Sequence, residues 1–155
     1  MGAVAGMFNV FLNHRGPDVK KDFVAHLHEA LFDAGLHPFT DMESLVKGQH
    51  GQTSIYEALR GASVHVAVFS KGYADSTYCL DELCTMMESK KRVIPVFYDV
   101  SPDDLKCTNK HQNGAYAISF RKTHRRQPQA QVEKWKKALC DAAELFGFRL
   151  ADYDG

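Results

Sequence analysis

Apolar residues recur along this chain with two different spacings, and the spacing changes where turn-forming residues fall. Four short runs, Phe8–Leu12, Leu36–Thr40, Val64–Phe69 and Val93–Tyr98, have the length and content of strands. Between them the period lengthens to that of a helix. In Gly16–Ala34 the residues Val19, Phe23, Leu27, Ala30, Leu31 and Ala34 fall on one face, Pro17 suits the first turn, and Gly35 supplies a left-handed stop. Thr53–Arg60 is a short helix stopped by Gly61. Cys79–Lys90 is a helix with Leu80, Leu83, Cys84 and Met87 on its apolar face, and His111–His124 is a weakly patterned helix. Gln131–Phe146 turns Val132, Trp135, Leu139, Ala142, Ala143 and Phe146 inward and Glu133, Lys134, Lys137, Asp141 and Glu144 outward. The segments Asp41–Gln52, Ser70–Tyr78, Asp99–Asn109 and Arg125–Ala130 are polar and read as loops.

The resulting order, β-α-β-α-β-α-β-α-α, predicts an α/β domain: a flavodoxin-like parallel sheet with helices on both faces. A fifth strand is not visible and is expected within Arg121–Gln131, or as a very short element. In such sheets ligands bind beyond the carboxyl ends of the strands. The start of the Cys79–Lys90 helix falls at that edge and carries Asp81 and Glu82. At 100° per residue Glu82 points away from the helix's apolar stripe. Two readings stay open: a pair of solvated first-turn carboxylates favourable to the helix dipole, or a carboxylate facing a cleft closed by the neighbouring loops.

Composition narrows the class. The chain has 155 residues, 45% hydrophobic and 25% charged, which fits one globular domain with a real core. We divide it into a short leader, 1–7, a domain, 8–150, and a tail, 151–155. Nineteen basic residues balance nineteen acidic ones, so bulk charge supports neither nucleic-acid nor membrane binding. Cys79, Cys84, Cys107 and Cys140 are scattered, as in a reduced cytoplasmic protein. No apolar run approaches ~20 residues, so none is a membrane span. His26-x-His28 and the five-residue step from Cys79 to Cys84 match no zinc spacing, and no metal is expected. Gly48–Thr53 lacks the ending of a phosphate loop, no G-x-G-x-x-G follows a strand, and the basic run Arg121–Arg126 reads as a solvated helix end.

Three segments in order resemble the plant Toll/interleukin-1 receptor (TIR) domain. They are Phe8-Asn-Val-Phe-Leu-Asn-His-Arg-Gly-Pro-Asp18, Val68-Phe-Ser-Lys-Gly-Tyr-Ala74 leading to Tyr78-Cys-Leu-Asp-Glu-Leu83, and Val93-Ile-Pro-Val-Phe-Tyr-Asp-Val-Ser-Pro102. The resemblance covers about Phe8 to Phe148 and is closest to plant innate-immunity proteins, as a TIR-only protein or an excised domain. It implies cleavage of NAD⁺ at the nicotinamide–ribose bond, with Glu82 in the position of the motif glutamate and NAD⁺ as substrate rather than cofactor. The products implied are nicotinamide with ADP-ribose or a cyclised isomer. Some members also make cyclic nucleotides from nucleic acid, which nothing in this sequence supports.

The same resemblance assigns Arg15, Asp41, Ser76, Tyr78 and Cys79 to substrate binding, with bracing of the loop by Arg15 and burial of Cys79 as a small hydrophobe left as open alternatives. It places Lys47 and Gly48 in the family's BB loop and implies homo-oligomers, or pairing with other TIR domains, in the cytoplasm or nucleus. Self-association is expected across the outer faces of the first and last helices, with Ala25 and His26 at the family's Ser-His position. Departures are Asn13 for the family's Ser, His14 for its Phe, Tyr78 for its Trp, Ala25 for its Ser, and Gln49-His50-Gly51 for Glu-Glu-Ile. A non-catalytic adaptor working through the same surfaces is the alternative function.

Overall fold

The computed structural model describes residues 9–16, 18–19, 21–40, 57–106 and 114–150. The leader, the expected loop Asp41–Gln52 and the tail lie outside them. Five parallel strands, β1 (Val10–Asn13), β2 (Pro38–Thr40), β3 (Val64–Phe69), β4 (Arg92–Phe97) and β5 (Phe148–Arg149), form one sheet in the order β2-β1-β3-β4-β5. Leu12 sits opposite Thr40 on one side and Val66 on the other, and Phe69 opposite Phe97. The helices are α1 (Lys21–Asp33), α2 (57–61), α3 (Thr77–Glu88), α4 (Pro102–Lys106), α5 (Ala115–Lys122) and α6 (Gln129–Ala143). A 3-10 turn, Tyr73–Asp75, precedes α3.

Strand alternation sorts the core into two layers. Val10, Leu12, Val66 and Val68 face α1 together with Val19 and Val24. Phe11, Ala67, Phe69, Val93 and Phe97 face the opposite layer, which draws on α2 through α6 and includes Leu59, Leu83, Leu105, Tyr116, Phe120 and Trp135. The predicted two-sided architecture is therefore present. Gly35 does stop α1, at φ +89°, and Leu36 N–H returns to Leu31 O at 3.0 Å, the left-handed closure that a side chain would strain.

Several expectations need correcting. The fifth strand is the very short element expected as the alternative and not a strand within Arg121–Gln131, where α5 runs into a turn. It is the two-residue β5, too short to leave a pattern. Asp99–Asn109 is not all loop, because α4 starts at Pro102 with Asp103 and Asp104 in its first turn. The last helix ends at Ala143, so Phe146 is exposed rather than inward. That helix belongs to the layer opposite α1. The first and last helices of the described residues therefore lie on opposite faces of the sheet.

Gly147 leads the chain into β5 so closely that a Cβ there would overlap the carbonyl oxygen and ring of Pro95 on β4. Backbone and a rigid ring cannot swing aside. Gly147→Ala is expected to cost about 1–3 kcal/mol of stability, read as a lowered urea midpoint at unchanged slope.

Candidate active site at the carboxyl edge of the sheet

The chain runs from β1 outward to β2 and then back across to β3, so the order of connection reverses between β1 and β3. In this topology the loops after those two strands part and leave a crevice at their carboxyl ends. The loop after β1 carries His14, Arg15 and Asp18, and the loop after β3 carries Ser70–Gly72. The two are tied together. Asp18 Oδ2 accepts from Ser70 Oγ at 2.8 Å and from Gly72 N–H at 2.6 Å, while Oδ1 accepts from Arg15 Nη1 at 2.5 Å. Tyr116 on α5 donates to Ser70 O at 2.7 Å from the core side. Arg15 therefore braces the loop.

Glu82 lies where neither prominent feature of its helix placed it. α3 begins two residues earlier than its apolar pattern suggests, at Thr77, because Ser76 Oγ accepts the N–H of Cys79 at 3.2 Å and caps the helix. Asp81 and Glu82 thus sit in the second turn, not the first. Neither is an unattached surface acid. Asp81 accepts from Trp135 Nε1 at 2.9 Å, which joins α3 to α6. Glu82 is 3% exposed, and its Oε1 accepts from Asn13 Nδ2 at 2.9 Å. Asn13 Oδ1 in turn accepts from the Tyr73 hydroxyl, which also lies 3.2 Å from Cys79 O. Asn13 and Tyr73 are both fully buried. The solvated reading of Glu82 is overturned: the side chain enters the seam between α3 and the end of β1.

The other expected residues distribute unevenly around this carboxylate. Tyr78 is 62% exposed on the first turn of α3, with a free aromatic face. Ser76 is occupied as the cap, and Cys79 is a buried, small core residue. Ala25 and His26 are exposed on α1. Asp41, Lys47 and Gly48 lie outside the described residues. Cys84, also buried, has its thiol pushed up to about 11 by desolvation and is a poor nucleophile. Among the described residues no three His, Cys, Asp or Glu side chains gather as metal ligands, and no helix is long and apolar enough to cross a membrane.

Sequence reasoning passed over Asn13, Tyr73 and His14 as site residues. The signal for two of them was present, since Asn13 and His14 replace the family's Ser and Phe. His14 is buried with both ring nitrogens unpartnered among the described residues, and burial lowers its pKa.

A buried carboxylate held by a buried amide at the switch point of a 2-1-3-4-5 sheet marks a small α/β domain with a candidate site at its carboxyl edge. Comparisons with known proteins identify the domain. The TIR domain family matches residues 7–154, and the chain belongs to that family. The protein named "Probable 2' cyclic ADP-D-ribose synthase BdTIR" of Brachypodium distachyon is 45% identical over 98 residues, covering 63% of this chain and 44% of its own length. TMV resistance protein N of Nicotiana glutinosa is 36% identical over 144 residues, 90% of this chain but 12% of that protein. Disease resistance protein TAO1 of Arabidopsis thaliana is 35% identical over 142 residues and is likewise covered for 12% of its length. The chain thus spans a minor part of these relatives. Among solved structures, the TIR domains of the activated Roq1 resistosome, which recognises the pathogen effector XopQ, superpose with a TM-score of 0.81. They are 37% identical, over 94% of this chain and 89% of that one.

His14 yields a test. An unsatisfied buried polar group costs about 1–3 kcal/mol, so His14→Phe should raise stability by about 1 kcal/mol. The folded-state pKa lies below the unfolded value of 6.5, so the unfolded chain binds the extra proton. Stability is then lost as pH falls from 6.5 through the folded value. Thermal melts from pH 7.5 to 5 should show a shallower acid-side decline in His14→Phe than in the parent.

Proposed function

We propose that this domain is an NAD⁺ nucleosidase and that Glu82 is its catalytic residue. The observation that carries this reading is a buried glutamate held by a neutral amide at the ligand edge of the fold, in a chain 45% identical over 98 residues to a protein named as a cyclic ADP-ribose synthase. The C1′–N bond to nicotinamide breaks with its electron pair leaving on nicotinamide, which departs neutral. The ribosyl cation left behind is offset by a negative charge beside the ring and by hydrogen bonds to its hydroxyls. Water then adds at C1′ to give ADP-ribose and a proton. Alternatively, a hydroxyl of the same molecule adds and gives a cyclic isomer, again releasing a proton. Tyr78 offers a stacking face for a base at the rim. NAD⁺ is consumed as substrate and is not a resident cofactor.

In the single chain the Glu82 carboxylate is covered, so substrate reaches it only after the covering groups move. That fits an enzyme active in assembled form, as does the likeness to TIR domains seen within a resistosome. The exposed His26 on α1 is the assigned contact. The disease-resistance relatives support a plant-immunity signalling role, with which we place the domain in the cytoplasm or nucleus. An adaptor without turnover is the competing reading.

Incubation of the purified chain with NAD⁺, with nicotinamide release as readout, tests the assignment. Glu82→Ala and Glu82→Gln should reduce release by at least about a hundredfold, in keeping with the loss of one transition-state electrostatic partner. Turnover surviving in both variants, with normal melting curves, refutes it. No nicotinamide from the parent chain at any concentration favours the adaptor.

Specific activity should also rise steeply with protein concentration. His26→Ala should lower both assembly, measured by sedimentation, and turnover by several-fold, as the loss of about 1 kcal/mol per contact implies. Constant specific activity across a hundredfold dilution of a monomer counts against the assembly requirement.

A further inference from the structure

We infer that Asn13 is a positioning residue that selects the ionised, oriented form of Glu82, and that Tyr73 sets the direction of the Asn13 amide. This rests on Glu82 being the reactive carboxylate. An amide side chain has a donor end and an acceptor end, so its orientation carries information that a hydroxyl in its place would not. Here Nδ2 faces Glu82 Oε1 at 2.9 Å and Oδ1 faces the Tyr73 hydroxyl. Tyr73 has one proton and two acceptors within reach, Asn13 Oδ1 and Cys79 O at 3.2 Å. Burial raises its pKa well above the ordinary value, so the proton stays on the ring oxygen.

These constraints allow two settings. With Tyr73 donating to Asn13, the amide N–H points at Glu82 Oε1, which accepts there, and that bond is stronger to the ionised carboxylate than to the acid. With the amide turned over, its oxygen would stand 2.9 Å from Glu82 Oε1. Two acceptors cannot meet at that distance unless Glu82 carries a proton, and Tyr73 would then donate to Cys79 O and accept from Nδ2. The atoms balance in both: one proton added to Glu82, one amide rotation, one hydroxyl rotation. The structure is in the first setting. All three side chains are buried, so water does not substitute for either partner.

Titratable groups around this corner come from each packed element. They are Tyr73 on the 3-10 turn, Tyr116 stacked on it from α5 with centroids 6.4 Å apart, Cys79 on α3, and His14, Arg15 and Asp18 after β1. Tyr116, like Tyr73, is raised by burial and stays neutral at neutral pH, and His14 is lowered by it. Arg15 and Asp18 pair with each other. The amide contacts Glu82 directly, and its donor end favours the ionised form.

The test is the pH profile of nicotinamide release at saturating NAD⁺ in the assembled protein. Asn13→Ala should leave KM within about twofold and move the acid limb of kcat up by about one pH unit, which is about a tenfold loss of kcat at pH values on that limb. Asn13→Asp should move that limb further up, because two carboxyls at hydrogen-bond distance share a proton. Tyr73→Phe should move it in the same direction by less. An unchanged acid limb and kcat in folded Asn13→Ala overturns the inference, as does a loss confined to KM. Should Asn13→Ala not fold, carboxyl ¹³C titration of Glu82 in the parent and in Asn13→Ser decides. The resonance is assigned by its disappearance in Glu82→Gln. A higher midpoint in Asn13→Ser supports the inference, and an equal one overturns it. Turnover surviving in Glu82→Gln removes the underlying assignment instead, whereas an inactive Glu82→Gln beside an unaltered Asn13→Ala removes only the role of Asn13.

Discussion

Hiding a carboxylate at the end of a parallel sheet is the demand around which this corner of the molecule is organised. A buried charge without donors is costly enough to stay protonated or to force the site open. Here the donor comes from the last residue of β1, the residue that lifts its hydroxyl proton toward it comes from the turn after β3, and the acid itself comes from α3. The three are 60 and 69 residues apart in the pairs that touch. Only β1 and β3 pairing side by side, with α3 laid back over them, brings them together.

A second clamp keeps that corner in register. Asp18 grips the backbone of Gly72 and the hydroxyl of Ser70, and a Cβ on Gly72 would strike the Asp18 carboxylate. With Tyr116 holding Ser70 from below, the loops after β1 and β3 move as one body.

The two faces of the sheet are unequal in what they bury. Five of the described helices pack on the Phe11–Phe69–Phe97 face and only α1 on the other, where Ile94, Val96 and Tyr98 of the β4 region stay half-buried. Glu82 and its partners belong to the densely packed face. His26 belongs to the sparsely covered one. Contacts made by α1 therefore do not touch the Glu82 corner.

Much of this was legible in the chain. The apolar runs of β3 and β4 are long and β-branched enough that no other element suits them, and β3 has the bounds its pattern implies. The parallel topology follows from the alternation of strands and helices. The motif from Tyr78 to Leu83 pointed to Glu82 as the residue to test. The sequence by itself did not decide whether Glu82 faces water or the interior, because a helical wheel gives the angle between side chains on one helix and not what lies opposite each. It did not decide the fifth strand, since two residues carry no period. Nor did it decide the face of the last helix, which depends on the handed crossover into β5. Those three were settled by tertiary contacts between residues far apart in the chain. The reason is physical: local periodicity records which side chains avoid water, and only the assembled sheet determines which polar group is carried inside with them and what meets it there.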